Sequence, residues 1–177
     1  MSVLRTIHRF DESAFIKLMN NSHAERAARI SRWVSRTGDG PLYVVLGLLL
    51  VVYEVQGGKD FVSAALIAFA IELPVYLLVK NSIRRHRPHE AISGFNAFLK
   101  KPSDKFSFPS GHTAGAFLMA TLIYHYYPEF AVLAYTIAAM VGCSRVFLGV
   151  HFPTDIIAGM VLGVGSAVIS LSLMGAM

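Results

Sequence analysis

The sequence predicts an all-α polytopic bundle of about five transmembrane helices, preceded by an amphipathic helix that lies in the membrane interface. Three observations carry this expectation. Of 177 residues, 54% are hydrophobic, and the mean hydropathy of +0.53 exceeds what a soluble domain of this length carries. Five apolar runs, Pro41 to Gln56, Phe61 to Lys80, Gly111 to Tyr126, Glu129 to Leu148 and Pro153 to Met174, approach the roughly 20 residues needed to cross a hydrocarbon core about 30 Å thick. The basic residues cluster beside these runs, where anionic lipid headgroups are the nearest partner.

In chain order, the whole of residues 1–177 reads as one membrane-embedded domain, with residues 1–36 as the interfacial region and the chemistry-bearing motifs within residues 80–155. Asp11 is placed to cap an early turn containing Phe15, Leu18 and Met19. Ser22-His23-Ala24-Glu25 fits a capping box, in which the serine accepts from a backbone N–H and the glutamate reaches back. Ala27, Ile30, Trp33 and Val34 then recur at spacings of three and four, away from Arg29 and Arg32, as on a helix in the interface. The first 36 residues lack the basic start, apolar stretch and small-residue site of a cleavable signal.

Gly38-Asp39-Gly40-Pro41 is a turn with Pro41 suited to a first helical turn, and Gln56 to Asp60 is a tight hairpin that makes the first two spans antiparallel neighbours. The first and third runs are short and borrow flanking residues or thin the bilayer. Asn81 to Pro109 is the one long loop, rich in Arg, Lys, His and Pro. Short turns at Tyr126 to Pro128 and Gly149 to Phe152 join the last three runs. Cys143 has no second cysteine to pair with and reads as a small core residue. Tyr124, Tyr126 and Tyr127 suit an aromatic belt.

Successive spans alternate in direction. The end of the second, the start of the third, the end of the fourth and the start of the fifth therefore share one face of the membrane. That face collects Lys80 to Pro88 (KNSIRRHRP), Pro109 to His112 (PSGH) and Ser144 to Asp155 (SRVFLGVHFPTD). Of the 16 Lys and Arg, only Lys59 falls on the opposite side, so the positive-inside rule argues for a cytoplasmic site, although a phosphate pocket attracts cations for its own reasons. The net charge of +5 is accounted for by headgroups, and nucleic acid is not expected as a partner.

The clustered residues form a set suited to phosphoryl transfer. A transferring phosphoryl group spreads negative charge over three oxygens, which fixed cations and N–H donors must meet. Lys80, Arg87 and Arg145 supply the cations, the arginines as forks and the lysine as a point charge. At Ser110-Gly111-His112 the free N–H groups of a helix start point outward, and Gly111 lets an anion approach the backbone. His151 and Asp155 are four apart, so the carboxylate can hold one ring nitrogen while the other attacks phosphorus. His112 is left to protonate the leaving group and then to activate water. A shared metal on His112, His151 and Asp155 is the rival reading, opposed by three cations that would repel it. Glu72, in mid-span on one face with Tyr76 and Lys80, is expected either to support the site or to fill an uncharged structural hydrogen-bonding role. His86 and His89 could touch a headgroup, but loop histidines are more often simply solvated.

At these residues the sequence resembles the type 2 phosphatidic acid phosphatase family, whose signature is a Lys and an Arg-Pro separated by six residues, then PSGH, then Ser-Arg followed after five residues by His and after three more by Asp. Lys80 with Arg87-Pro88, Pro109 to His112, and Ser144-Arg145 with His151 and Asp155 match it in order. The resemblance implies metal-independent, cofactor-free hydrolysis through a phosphohistidine, with His151 as nucleophile, Asp155 as its orienter and His112 as acid. It implies phosphate contacts from Lys80, Arg87, Ser110, Gly111, His112 and Arg145. Short bacterial members are most similar, which points to a bacterial inner membrane and to undecaprenyl pyrophosphate as the first substrate candidate. Phosphatidylglycerophosphate and phosphatidic acid follow, and a non-catalytic headgroup-binding bundle is the alternative of another class. Membrane members often have six spans against the five counted here. The residues carry no information on oligomeric state.

Overall fold

The computed structural model describes residues 3–93, 95, 97, 98 and 105–176, and the side chains of all of these but 3–5. Among the described residues every regular element is helical. They are α1 (Val3–Met19), α2 (Ala24–Arg36), α3 (Gly40–Val52), α4 (Gly58–Ile83), the short α5 (Pro88–Ala91), α6 (Gly111–Tyr126), a 3-10 turn (Pro128–Phe130), α7 (Ala131–Phe147) and α8 (Pro153–Leu173).

Three helical stretches among the described residues, Gly58–Ala91, Pro128–Phe147 and Pro153–Leu173, are long and apolar enough to cross a membrane. A fourth is possible if α2 and α3, bent by 42° at their junction, act as one broken span. The expected first span, Pro41 to Gln56, ends early at Val52. The expected third span coincides with α6, but that helix runs down the centre of the bundle, buried from Thr113 to Leu122.

Beside large buried side chains such as Phe61, Leu118 and Leu122, many helix contacts are made by small residues. Ala64, Ala68, Ala114, Ala120, Gly159, Gly163, Ser166 and Ser170 are buried, whereas Leu66, Leu78, Val132 and Val161 face outward. Lipid tails are as apolar as leucine, so helix association relies on close backbone approach and polar links between helices. A Cβ on Gly163 would lie 2.1 Å from the Ala114 carbonyl oxygen, and one on Gly159 2.5 Å from that of Ser110. Those glycines let α8 press directly on α6. The Ser170 hydroxyl donates to the Ala64 carbonyl at 2.7 Å, tying α8 to α4.

Pro41 and Pro153 sit in first helical turns as expected, and Gly57 turns the chain into α4 with φ of +75°. The capping box at Ser22 does not form. α2 starts at Ala24 without a side-chain cap, because Asn21 accepts the His23 backbone N–H and the Ser22 hydroxyl contacts the His23 ring. Asp11 is not a cap either: it is buried in the middle of α1. Cys143 is exposed on α7 rather than buried. On α2 the small residues Ala24, Ala28, Ser31 and Ser35 face the bundle, while Ile30 and Trp33, the latter 69% exposed, face away.

Candidate active site

The three motif stretches meet at one end of the bundle. α4 brings Lys80 down in its last turns, and the loop after it carries Arg87, whose Nη1 donates to the Val150 carbonyl at 2.8 Å. The Ser110 backbone N–H donates to the Asp155 carbonyl at 3.0 Å, so the first and second stretches each bond to the third. The Tyr76 ring lies against Gly111, within 3.1 to 3.3 Å of where a Cβ would stand. The Lys80 ammonium donates to the Tyr76 hydroxyl at 2.5 Å and sits 4.6 Å from the centre of its ring. Glu72 is buried two helical turns before Lys80.

Ser110 is the N-cap of α6. Its hydroxyl accepts from the Thr113 hydroxyl at 2.9 Å and from the Thr113 backbone N–H at 3.5 Å, which leaves the N–H groups of Gly111 and His112 at the open helix start, where an anion is favoured. Gly149, with φ of +76°, reverses the chain after α7. The Phe95 ring packs where a side chain would project from it.

His151 follows in that loop, 2% exposed, with Nδ1 3.5 Å from Asp155 Oδ2. That separation is at the long end for a hydrogen bond, as is common before substrate tightens a site. Asp155 Oδ2 also accepts the Phe152 backbone N–H at 2.8 Å. The pKa of His151 is pushed down to about 4, first by burial, then by the Arg145 and Arg87 charges, with Asp155 pulling the other way. A neutral imidazole is the form that can attack phosphorus.

The N-terminal helices also reach this end. Arg145 donates through Nη1 to the Ser35 hydroxyl at 2.6 Å. His112 Nε2 lies 3.0 Å from Asp39 Oδ1, a half-exposed pair between the α2–α3 turn and the start of α6. Arg85 bridges Asp155 and Asp11 at 2.9 and 2.7 Å. Ser35, Asp39, Arg85 and Asp11 were not assigned to the site from sequence, where Asp11 read as a cap and Asp39 as part of a turn. Only Arg85 carried a usable signal, an arginine inside the KNSIRRHRP stretch. The loop histidine His86 instead pairs with the exposed Glu90 at 3.2 Å.

The arrangement therefore offers a neutral imidazole backed by a carboxylate, a second imidazole with its own carboxylate, the cations Lys80, Arg87 and Arg145 with Arg85 behind Asp155, and an open helix start. These are the components of in-line attack on a phosphorus atom with charge stabilisation of its oxygens.

Comparisons with known proteins bear on the family. A family model described as the PAP2 superfamily matches residues 57–176. The bacitracin transport permease protein BcrC of Bacillus licheniformis is 33% identical over 125 residues, which are 69% of this chain and 61% of that protein. An undecaprenyl-diphosphatase of Sulfolobus acidocaldarius is 26% identical over 148 residues, 83% of this chain and 70% of that one. The matched part thus spans under two thirds of the permease. The crystal structure of LpxE from Aquifex aeolicus superposes with a TM-score of 0.78 at 26% identity, covering 90% of this chain and 93% of that one.

Proposed function

This chain belongs to the PAP2 superfamily, and from that premise we propose that it is an integral membrane lipid phosphatase working through a phosphohistidine at His151. The observation that carries the reading is the buried His151 with Asp155 behind it and Arg87 and Arg145 beside it. His151 Nε2 attacks phosphorus while Asp155 holds Nδ1–H and balances the positive charge developing on the ring. Lys80, Arg87, Arg145, the Ser110 region and the Gly111 N–H hold the three phosphoryl oxygens. The P–O bond to the lipid breaks, and His112, oriented by Asp39, gives its proton to the departing oxygen. Water then attacks the phosphohistidine with His112 as base, releasing inorganic phosphate and regenerating His151.

The substrate we infer is undecaprenyl pyrophosphate, with phosphatidylglycerophosphate or phosphatidic acid as the second reading. A lipid rather than a soluble phosphate ester is supported by an apolar cavity of about 420 Å³ between α3 and α4, lined by Tyr43, Gly47, Val51, Phe61, Val62 and Phe69. It begins at Gly40, next to Asp39, so a hydrocarbon chain lying there would bring its headgroup to His112. We propose five membrane crossings with α1 and α2 at the interface, in a bacterial inner membrane. The charge count favours a cytoplasmic site.

A phosphate-release panel over the three lipids, with the purified protein in excess chelator, tests the activity. Release from at least one lipid that is lost in His151→Ala is expected. No release from any lipid, or a strict metal requirement, contradicts the reading. Labelling of Ser93→Cys in a Cys143→Ser background in intact cells tests the sidedness.

A further inference from the structure

α1 lies outside the stretch matched by the family model, yet one of its carboxylates is built into the support of the nucleophile. Asp11 has no exposed surface. Its Oδ2 accepts from Arg85 Nη2 at 2.7 Å and from the Thr154 hydroxyl, and its Oδ1 accepts the Thr154 backbone N–H at 3.1 Å. Arg85 Nη1 donates onward to Asp155 Oδ1 at 2.9 Å and to the Thr154 hydroxyl oxygen at 2.8 Å. The guanidinium carbon lies 4.3 Å from the centre of the Phe152 ring. Asp155 Oδ2 takes the Phe152 N–H and faces His151. Phe15, one turn further along α1, is fully buried with Phe152 and Val146, so α1 is seated by packing as well as by charge.

We propose that Asp11 and Arg85 are positioning residues for the His151–Asp155 pair, and that Asp11 supplies the negative charge that lets Arg85 fix Asp155 without cancelling it. The inference rests on the phosphohistidine reading given above. A fully buried carboxylate needs a charged partner to stay ionised and in one orientation, and a guanidinium fork does both. Arg85 alone would leave the Arg85–Asp155 pair neutral, with nothing to balance the imidazolium that forms when His151 is phosphorylated. With Asp11 the three groups carry one net negative charge. The cationic ring then completes a neutral assembly in a site that already holds Arg87 and Arg145. α1 is in this way a working part of the active site, reached through Arg85.

The test is a double-variant comparison on the full chain in detergent, reading kcat and KM for phosphate release together with the melting temperature. Asp11→Asn keeps the shape and removes the charge. It should lower kcat by about 10- to 100-fold, the range seen when a carboxylate behind a functional histidine is lost, with KM within about 2-fold. Arg85→Gln should also lower kcat, because it leaves two buried carboxylates facing each other. The combined variant restores one negative charge beside His151 and should turn over faster than either single variant. A purely structural role predicts the reverse, a double variant at least as impaired as the worse single one with a melting temperature to match, and that result would overturn the proposal. So would wild-type kcat in Asp11→Asn. If one single variant does not fold, the other compared with the double carries the same sign. An active wild type with a normal Asp11→Asn removes this inference alone, whereas an inactive wild type removes the phosphatase reading and this inference with it.

Discussion

Residues 111–173 and residues 3–52 meet the same cluster of side chains from different sides and with different chemistry. α6 and α8 touch backbone to backbone through Gly159 and Gly163, and with α7 they hold Arg145, His151 and Asp155 almost without exposure. α1 to α3 pack on that scaffold through Phe15 and the small buried face of α2 and add the polar side chains Asp11, Ser35 and Asp39 to the cluster, while Trp33, Leu48 and Val52 point outward. A scaffold pressed together at its backbone fixes atoms that must align with a phosphorus atom. The polar side chains that α1 to α3 add adjust the charge and orientation of those atoms, and each such contact can be altered on its own.

That contrast predicts unequal losses. His151→Ala, in the first region, should lower phosphate release on the order of 10⁴-fold or more, since no other group in the site replaces a nucleophile. Retained turnover would break the comparison at its root. Gly163→Val should cost several kcal/mol, beyond the usual 1–3 kcal/mol of overpacking, because the added carbon meets the Ala114 backbone at 2.1 Å. Gly165→Val, with open space around its Cβ, is the matched control and should show no such loss of melting temperature in detergent.

In the second region, Asp39→Asn should reduce kcat about 10-fold through misorientation of His112 while leaving KM nearly constant, a split that steady-state kinetics resolves. Ser35→Ala removes one hydrogen bond from Arg145 and should raise KM about 3- to 10-fold, consistent with about 1 kcal/mol for such a bond. The smallest change concerns pH. Because His151 is held near 4 rather than 6.5, it stays deprotonated as pH falls from 7 to 5. Rapid-quench measurement of enzyme phosphorylation should show no fall with a midpoint near 6.5, and loss of the nucleophile only as pH drops through about 4.

The span limits were legible where apolar runs end at proline or a short turn: the run from Glu129 corresponds to Pro128–Phe147, and the run from Pro153 to Pro153–Leu173. The motif residues were legible because their chemistry repeats at fixed short spacings on alternating spans. The contacts of Asp11, Ser35 and Asp39 join residues 74, 110 and 73 positions apart, and nothing local marks them. Asp11 looked like a helix cap because an aspartate near an apolar segment is a cap signal in a local reading, while its partner is chosen by packing. The stripe of Ile30 and Trp33 faces away from the bundle, the side that a lipid-facing stripe takes. In water such a stripe seeks the core, whereas beside lipid the small residues Ala28, Ser31 and Ser35 take the inside and the large apolar ones face out.

The claim that His151 is the phosphorylated group has one direct test. Enzyme quenched during turnover of a lipid carrying labelled phosphate should yield a base-stable, acid-labile phosphoprotein, with the label on the peptide containing His151 and absent from His151→Ala. Label on another residue, or turnover with no phosphoenzyme under conditions that trap a phosphohistidine, would contradict the account.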